Sequence, residues 1–340
     1  MTPYLLSIIC EPITKKELTL INPVYDTYGN IESGSLITNE GSVYPIINGI
    51  PRFEGFVPNE TVSSFGDQWN HYNFTDFKIN WLNHTVANTF GNPDVFKDKI
   101  IVDAGGGSGA QTKWFLEYGA QHVILLELSH SVDDVVKRNL SEFSNYDVIQ
   151  CSIDAPPLKD DSIQGIVYCH NVIQHTPSVE KTAHELFRLI DKNGEFVFNC
   201  YGLNDLGPIR WIRINLIYRP LRGILSRMPF WVNKLYAHTI SIFRMIPILG
   251  WFLEKTGIVV QGDVPIIPGE SFWNRLKRRY KCSCLNTFDG FGSHKYQHLK
   301  RDDEMWALIK ELQPDMTKVL NTEKYFSRPT PIGIALRIRK

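Results

Sequence analysis

The chain has 340 residues, 43% of them hydrophobic, and 36 Lys and Arg against 36 Asp and Glu. That length builds one large or two modest domains, and the even charge excludes a global basic field that would draw the protein to nucleic acid. No stretch reaches the roughly 18 uninterrupted apolar residues of a transmembrane helix.

The six cysteines, Cys10, Cys151, Cys169, Cys200, Cys282 and Cys284, include no CxxC pair, so reduced thiols and no structural metal are expected. Met1 to Cys10 lacks a basic leader and an adequate signal-peptide core, which predicts a cytoplasmic protein.

Residues 1–56 are rich in Gly, Asn and Pro. They carry β-branched runs such as Val43 to Ile47, between turn signals at Asn39-Glu40-Gly41 and Asn48-Gly49, which predicts a small β-rich module. Residues 57–98, with Phe65, Trp69, Tyr72, Phe74, Phe77 and Trp81, form a helical lead-in. From Lys99 the pattern becomes an alternation. Strands are expected at Ile100 to Val102, His122 to Leu126, Tyr146 to Gln150, Gly165 to Cys169 and Glu195 to Tyr201. Helices are expected at Thr112 to Tyr118, Ser131 to Phe143 and Ser178 to Ile190. Such spacing implies an α/β fold with a doubly wound, mostly parallel sheet. Residues 202–290 break the alternation and read as a helical cap insertion within a domain spanning 99–340. A helix at Asp302 to Leu312, then strands at Thr317 to Phe326 and Gly333 to Ile338, close a seven-stranded Rossmann-like sheet with an antiparallel hairpin.

Asp103-Ala104-Gly105-Gly106-Gly107-Ser108-Gly109 follows a strand and precedes a helix, the context in which a glycine-rich turn cradles a ligand. Gly105, Gly107 and Gly109 let backbone approach where a Cβ would block it. Asp103 can face a cationic ligand, and Glu127, ending the second strand, can accept two ribose hydroxyls. Gly105, Gly107 and Ala110 also satisfy the dinucleotide G-x-G-x-x-G/A spacing, so the motif by itself leaves both S-adenosylmethionine and NAD open.

The stretch from Val102 to Tyr201 resembles the methyltransferase domain of the ubiquinone/menaquinone-biosynthesis type. The resemblance rests on Asp103, on Glu127 and on Pro157-Leu158-Lys159-Asp160-Asp161-Ser162. It extends to Val172-Ile173-Gln174-His175-Thr176-Pro177 and to Arg188-Leu189 through Gly194. It implies a class I methyltransferase with S-adenosylmethionine held by Asp103, Gly105, Gly107, Gly109 and Glu127, and further by Ile153 and Asn171. The family's usual Asp near the adenine aligns with Ser152, so either Ser152 or Asp154 takes the adenine amino group. Gln164 also replaces a frequent Asp.

Gly34-Ser35-Leu36, Tyr44 to Pro51 and the Cys10 segment resemble a small zinc-ribbon-like activator of tRNA, rRNA and release-factor methyltransferases. The metal partners are missing, so the module is read as metal-free. Ser64 to Trp69 resembles the lead-in of fused family members, and Gln68 and Trp69 can cap the cofactor.

For a hydroxyl acceptor a base is needed, and His170 and His175 flank the end of the fourth strand. An amine or carbon acceptor needs none. Residues 208–251 hold Arg210, Arg213, Arg219, Arg222, Arg227, Lys234 and Arg244, with no Asp or Glu. Such a basic, aromatic stretch is a packed cap with solvated cations, a surface for an anionic membrane, or a lid for a phosphate-bearing substrate. The expected function is methyl transfer to a small molecule, anionic or lipid-linked. A nicotinamide-dependent oxidoreductase and a catalytically silent scaffold binding a protein partner are the rival readings.

Overall fold

A computed structural model describes residues 1–53, 59–72, 74–203, 207–260, 264, 266–292, 296–319 and 336–340. The predicted strand segments 320–326 and 333–335, and the module's end at 54–56, lie outside the described residues. Two compact bodies divide the chain: 1–78, 84–202 and 296–340 form the first, and 79–83 with 203–295 the second.

In the first body, β1 (Thr19–Tyr25), β2 (Ile31–Ile37), β3 (Val43–Ile47) and β4 (Ile50–Pro51) make an antiparallel meander. Asn48 and Gly49, at φ 52° and 75°, close the β3–β4 hairpin, as an Asn-Gly pair at positive φ does. A short helix not expected from sequence, Pro3–Ile8, precedes the meander. Its first turn is set by Pro3 and by the Thr2 hydroxyl, which accepts from the Leu5 amide at 3.1 Å.

The main sheet comprises β5 (Ile100–Ala104), β6 (His122–Glu127), β7 (Tyr146–Gln150), β8 (Ile166–Cys169), β9 (Glu195–Phe198), β10 (Met316–Val319) and β11 (Leu336–Arg339). Their order is β10-β11-β9-β8-β5-β6-β7. Strands β5 to β9 are parallel, and β11 runs antiparallel to both neighbours. This is the doubly wound, Rossmann-like sheet that the strand–helix alternation predicts. β8 and β9 are buried throughout, as strands covered on both faces must be. Chain order reverses on the two sides of β5, a switch point where the carboxyl ends of strands leave a crevice for ligands.

Several expected elements are shorter. The helix predicted over Ser131 to Phe143 divides into a 3-10 turn, His130–Asp133, and a helix, Val135–Leu140. The Ser129 and Ser131 hydroxyls bond to one another and to the Gly107 carbonyl, and these local bonds compete with a continuous helix. The next helix narrows to Val179–Phe187, with Ser178 as its N-cap. β9 stops at Phe198 rather than Tyr201, where Asn199 turns its amide toward Asn171.

The meander and the sheet share one apolar core, in which Leu5, Ile9, Leu36 and Phe53 join Ile149 and Leu158. Backbone bonds stitch them: Phe53 donates to the Gln150 carbonyl at 2.8 Å and Cys10 to Pro157 at 3.0 Å. Arg52, nearly enclosed, donates to Asp133 at 2.7 Å and to Gln150 at 2.6 Å.

The second body is helical. Pro208–Ile212 continues through a π turn, Arg213–Tyr218, into Arg219–Leu225, and Phe230–Arg244, Pro247–Thr256 and Phe272–Phe291 follow. Phe230–Arg244 packs on Phe272–Phe291 through Ser241 to Ser283 at 2.9 Å and His238 to Tyr280 at 2.8 Å. Among the described residues no helix is long and apolar enough to cross a membrane.

Candidate functional site

β5 delivers Asp103 to the crevice, and the chain then turns through Gly105, Gly107 and Gly109 at φ 82°, 59° and 75° into helix Ala110–Glu117. Two of these glycines have neighbours that forbid a side chain. A Cβ on Gly105 would overlap the Val172 side chain, and one on Gly107 would come within 2.8 Å of the Trp69 indole. Trp69 and Val172 therefore lie directly against the turn from two different segments.

The turn is tied to the end of β6. Glu127 accepts from the Gly107 amide through Oε2 and from the Ser129 amide through Oε1, both at 2.8 Å. Ser129 donates to Ser131, and Ser131 donates to the Gly107 carbonyl at 2.8 Å, which completes a closed ring of bonds. Asn139 adds a bond to the Ser108 carbonyl at 2.8 Å. Each Glu127 oxygen keeps further acceptor capacity. Burial is the main influence on this carboxyl and pushes it above the usual glutamate range, against the Ser129 and Gly107 donors.

Asp103 is buried as well. Burial pushes it up to about 7, the Thr112 hydroxyl opposes the rise from 2.6 Å, and the charge of Glu127 adds to it. Neither carboxylate has an ion-pair partner among the described residues. Two buried carboxylates beside a glycine cradle suit a ligand with cationic groups at one end and a vicinal diol at the other.

After β7, Cys151 donates to the Glu127 carbonyl at 3.1 Å, which sets Ser152, Ile153 and Asp154 beside the same edge. The Ser152 hydroxyl donates to the Asp154 carboxylate, and Lys181 approaches that carboxylate at 3.7 Å. Ile153 is buried.

His170 ends β8. Part of the residue reaches the surface, but its Nδ1 is enclosed without a partner and its Nε2 lies 3.5 Å from the Thr85 hydroxyl. The ring's environment follows that enclosed nitrogen, and burial lowers its pKa to about 4, so it is neutral at neutral pH. Asn171, in the left-handed region at φ 59°, exchanges amide bonds with Asn199, each 2.7 Å long. His175, on the turn Ile173–His175, donates from Nδ1 to the Tyr296 carbonyl at 3.1 Å, which makes Nε2 the basic nitrogen of its neutral ring. Gln68 is fully buried one residue before Trp69.

The crevice thus joins the glycine turn to Glu127 and Trp69 through direct contacts at Gly107, with Asp103 on β5 before the turn and Ser152 to Asp154 after the neighbouring strand. His170 and His175 belong to the β8 end but make no described contact with each other. Sequence reading missed Ser129, Ser131, Asn139, Asn199, Tyr296 and His298. Ser129 carried a signal as an N-cap residue just after the acid. His298, which bonds the Thr176 carbonyl at 3.0 Å from far along the chain, carried none. Cys10 is buried, its thiol pushed up by burial, and no cluster of three metal-ligating side chains occurs among the described residues.

Residues 102–198 match the family model of the methyltransferase domain. That segment runs from β5 to β9 and holds the glycine turn, Glu127 and both histidines. It is a methyltransferase domain, and its cofactor is S-adenosylmethionine. A search of curated proteins finds no match.

Solved structures with similarity include an S-adenosylmethionine-dependent methyltransferase from Mesorhizobium loti, 15% identical over 78% of this chain and 100% of that one, with a TM-score of 0.42. A candidate S-adenosylmethionine-dependent methyltransferase from Listeria monocytogenes is 21% identical over 32% of this chain and 47% of its own, with a TM-score of 0.29. A candidate methyltransferase in complex with the Trm112 activator, from Haloferax volcanii, gives 18%, 47% and 74%, with a TM-score of 0.35. The chain spans less than half of the Listeria protein's length.

Proposed function

We propose that the whole chain is an S-adenosylmethionine-dependent methyltransferase acting on a small-molecule acceptor that is anionic or lipid-linked. The observation that carries the reading is the bond from the Gly107 amide to Glu127, which joins the glycine cradle to a buried carboxylate with acceptor capacity to spare. The residues fit the cofactor: the cradle has no room for a Cβ at Gly105 or Gly107, and Asp103 is a buried acid without a counter-ion among the described residues.

When bound, S-adenosylmethionine supplies a methyl group already activated on a sulfonium. The protein's task is then alignment and exclusion of water. In this reading Glu127 accepts the ribose hydroxyls, Asp103 faces the cationic methionine end, and Ser152 or Asp154 takes the adenine amino group beside Ile153. Trp69 and Gln68 cover the cradle, and Asn171 lines it. With a hydroxyl acceptor, His175, whose ring is oriented by the Tyr296 carbonyl, and His170, which burial keeps neutral down to acidic pH, are the candidate bases. The acid-free stretch 208–251 supports an anionic acceptor or a site of action at a membrane surface, with no nucleic-acid role.

Native mass spectrometry of the purified chain, before and after soaking with each cofactor, tests the assignment. The added mass should be that of S-adenosylmethionine or its demethylated product. Retention of a nicotinamide dinucleotide in its place contradicts it.

A further inference from the structure

The helix Phe230–Arg244 is built inside out. Its buried side chains are Asn233, Ala237, Ser241 and Arg244, one side of the helix at helical spacing, and they are small or polar. Their polar groups are used inside the body: Ser241 bonds Ser283 at 2.9 Å, Asn233 bonds the Met228 carbonyl at 3.3 Å, and Arg244 pairs with Glu254 at 2.7 Å. Of its apolar side chains, Trp231, Leu235, Ile242 and Phe243 are exposed, while Phe230 and Tyr236 pack on Phe288 and Phe291. A helix whose outer face meets only water shows the reverse distribution.

The same inversion continues past the turn. Ile246, Ile248, Leu249, Trp251 and Phe252 are exposed, Ile248 at 86%, whereas Gly250 and Leu253 are buried. A Cβ on Gly250 would overlap the Arg244 carbonyl, so the two helices close tightly at this point. The result is a helical hairpin, 230–256, with an apolar tip. Exposed apolar clusters of this kind on soluble proteins mark contact surfaces.

Charge identifies the partner. From Gly207 to Leu253 there is no Asp or Glu against seven cations, of which Arg244 pairs with Glu254 just beyond the stretch. Exposed apolar side chains that include Trp231 and Trp251, on a stretch with seven cations and no acid from 207 to 253, suit the interface of an anionic bilayer.

We propose that the second body docks on an anionic lipid bilayer by seating the tip of the 230–256 hairpin among the headgroups. Small and polar residues between the helices, with apolar ones outside, are how helices pack in an apolar medium. The docking is monotopic, since no described helix is long and apolar enough to span. It goes beyond the methyltransferase reading and stands without it, because it requires no cofactor.

Flotation of the full chain with vesicles tests the docking. The chain should float with vesicles of phosphatidylcholine mixed with phosphatidylglycerol and stay behind with phosphatidylcholine alone. Ile246→Asp with Ile248→Asp should lower the bound fraction by about tenfold or more, without changing the melting temperature or the mass in solution. Arg219→Gln with Arg222→Gln should weaken binding to the mixed vesicles several-fold, most at low salt. Absence of flotation, or flotation indifferent to the hairpin variant, overturns the proposal. A dimer in light scattering that the hairpin variant dissociates, with no vesicle binding by the parent, assigns the face to a second copy and overturns it too.

Discussion

Asp103 is a carboxyl group enclosed where its negative charge is poorly solvated, which raises it to about 7. Near neutrality part of the free protein therefore carries it protonated. A cationic cofactor favours the carboxylate, so binding expels that proton, and affinity must fall as pH drops through about 7. The affinity for S-adenosylmethionine should rise between about pH 6 and about pH 8, and calorimetry in buffers of different ionisation enthalpy should record proton release. Asp103→Asn should flatten this dependence; a slope unchanged in the variant would assign the proton to another group. At this scale the sequence was informative where local motif and chemistry coincide, as at Asp103, the glycines and Glu127. It was silent on the Asn171–Asn199 pair and on Tyr296 and His298, because such bonds join residues that only the fold brings together.

Short apolar runs alternating with helical segments predicted the parallel strands, since buried parallel strands leave a strong compositional mark. The same reading failed over Ser131 to Phe143, where helical spacing was present but Ser129 and Ser131 spend their hydroxyls on the glycine turn. The basic, aromatic composition of 208–251 was legible in sequence, but not which of its apolar side chains are exposed. The meander reads in sequence as a separate module, yet it supplies Arg52 to the turn that follows Glu127. Arg52→Ala should cost about 1–3 kcal/mol of stability by denaturant titration, because it leaves the buried Gln150 oxygen without its donor. It should also weaken cofactor binding through the 130–133 turn, and Arg52→Lys should recover only part of both losses. Retention of full stability by Arg52→Ala would show the meander to be an independent attachment.

At the scale of the whole molecule, the first body combines meander and sheet around one core, and the second is helical, with exposed apolar side chains along its 230–256 hairpin. The family match covers β5 to β9, all within the first body, while the acid-free stretch 208–251 belongs to the second. The functional reading of the first body depends on the crevice at the β5 switch point holding S-adenosylmethionine. Calorimetric titration of the parent and of Glu127→Ala with S-adenosylhomocysteine, and of the parent with NAD, tests that dependence most directly. The account predicts binding of S-adenosylhomocysteine and none of NAD, with the substitution weakening affinity by about 1.5–3 kcal/mol, the scale of hydrogen bonds to a charged group. Binding of NAD alone, or an affinity unaffected by the loss of Glu127, would contradict it.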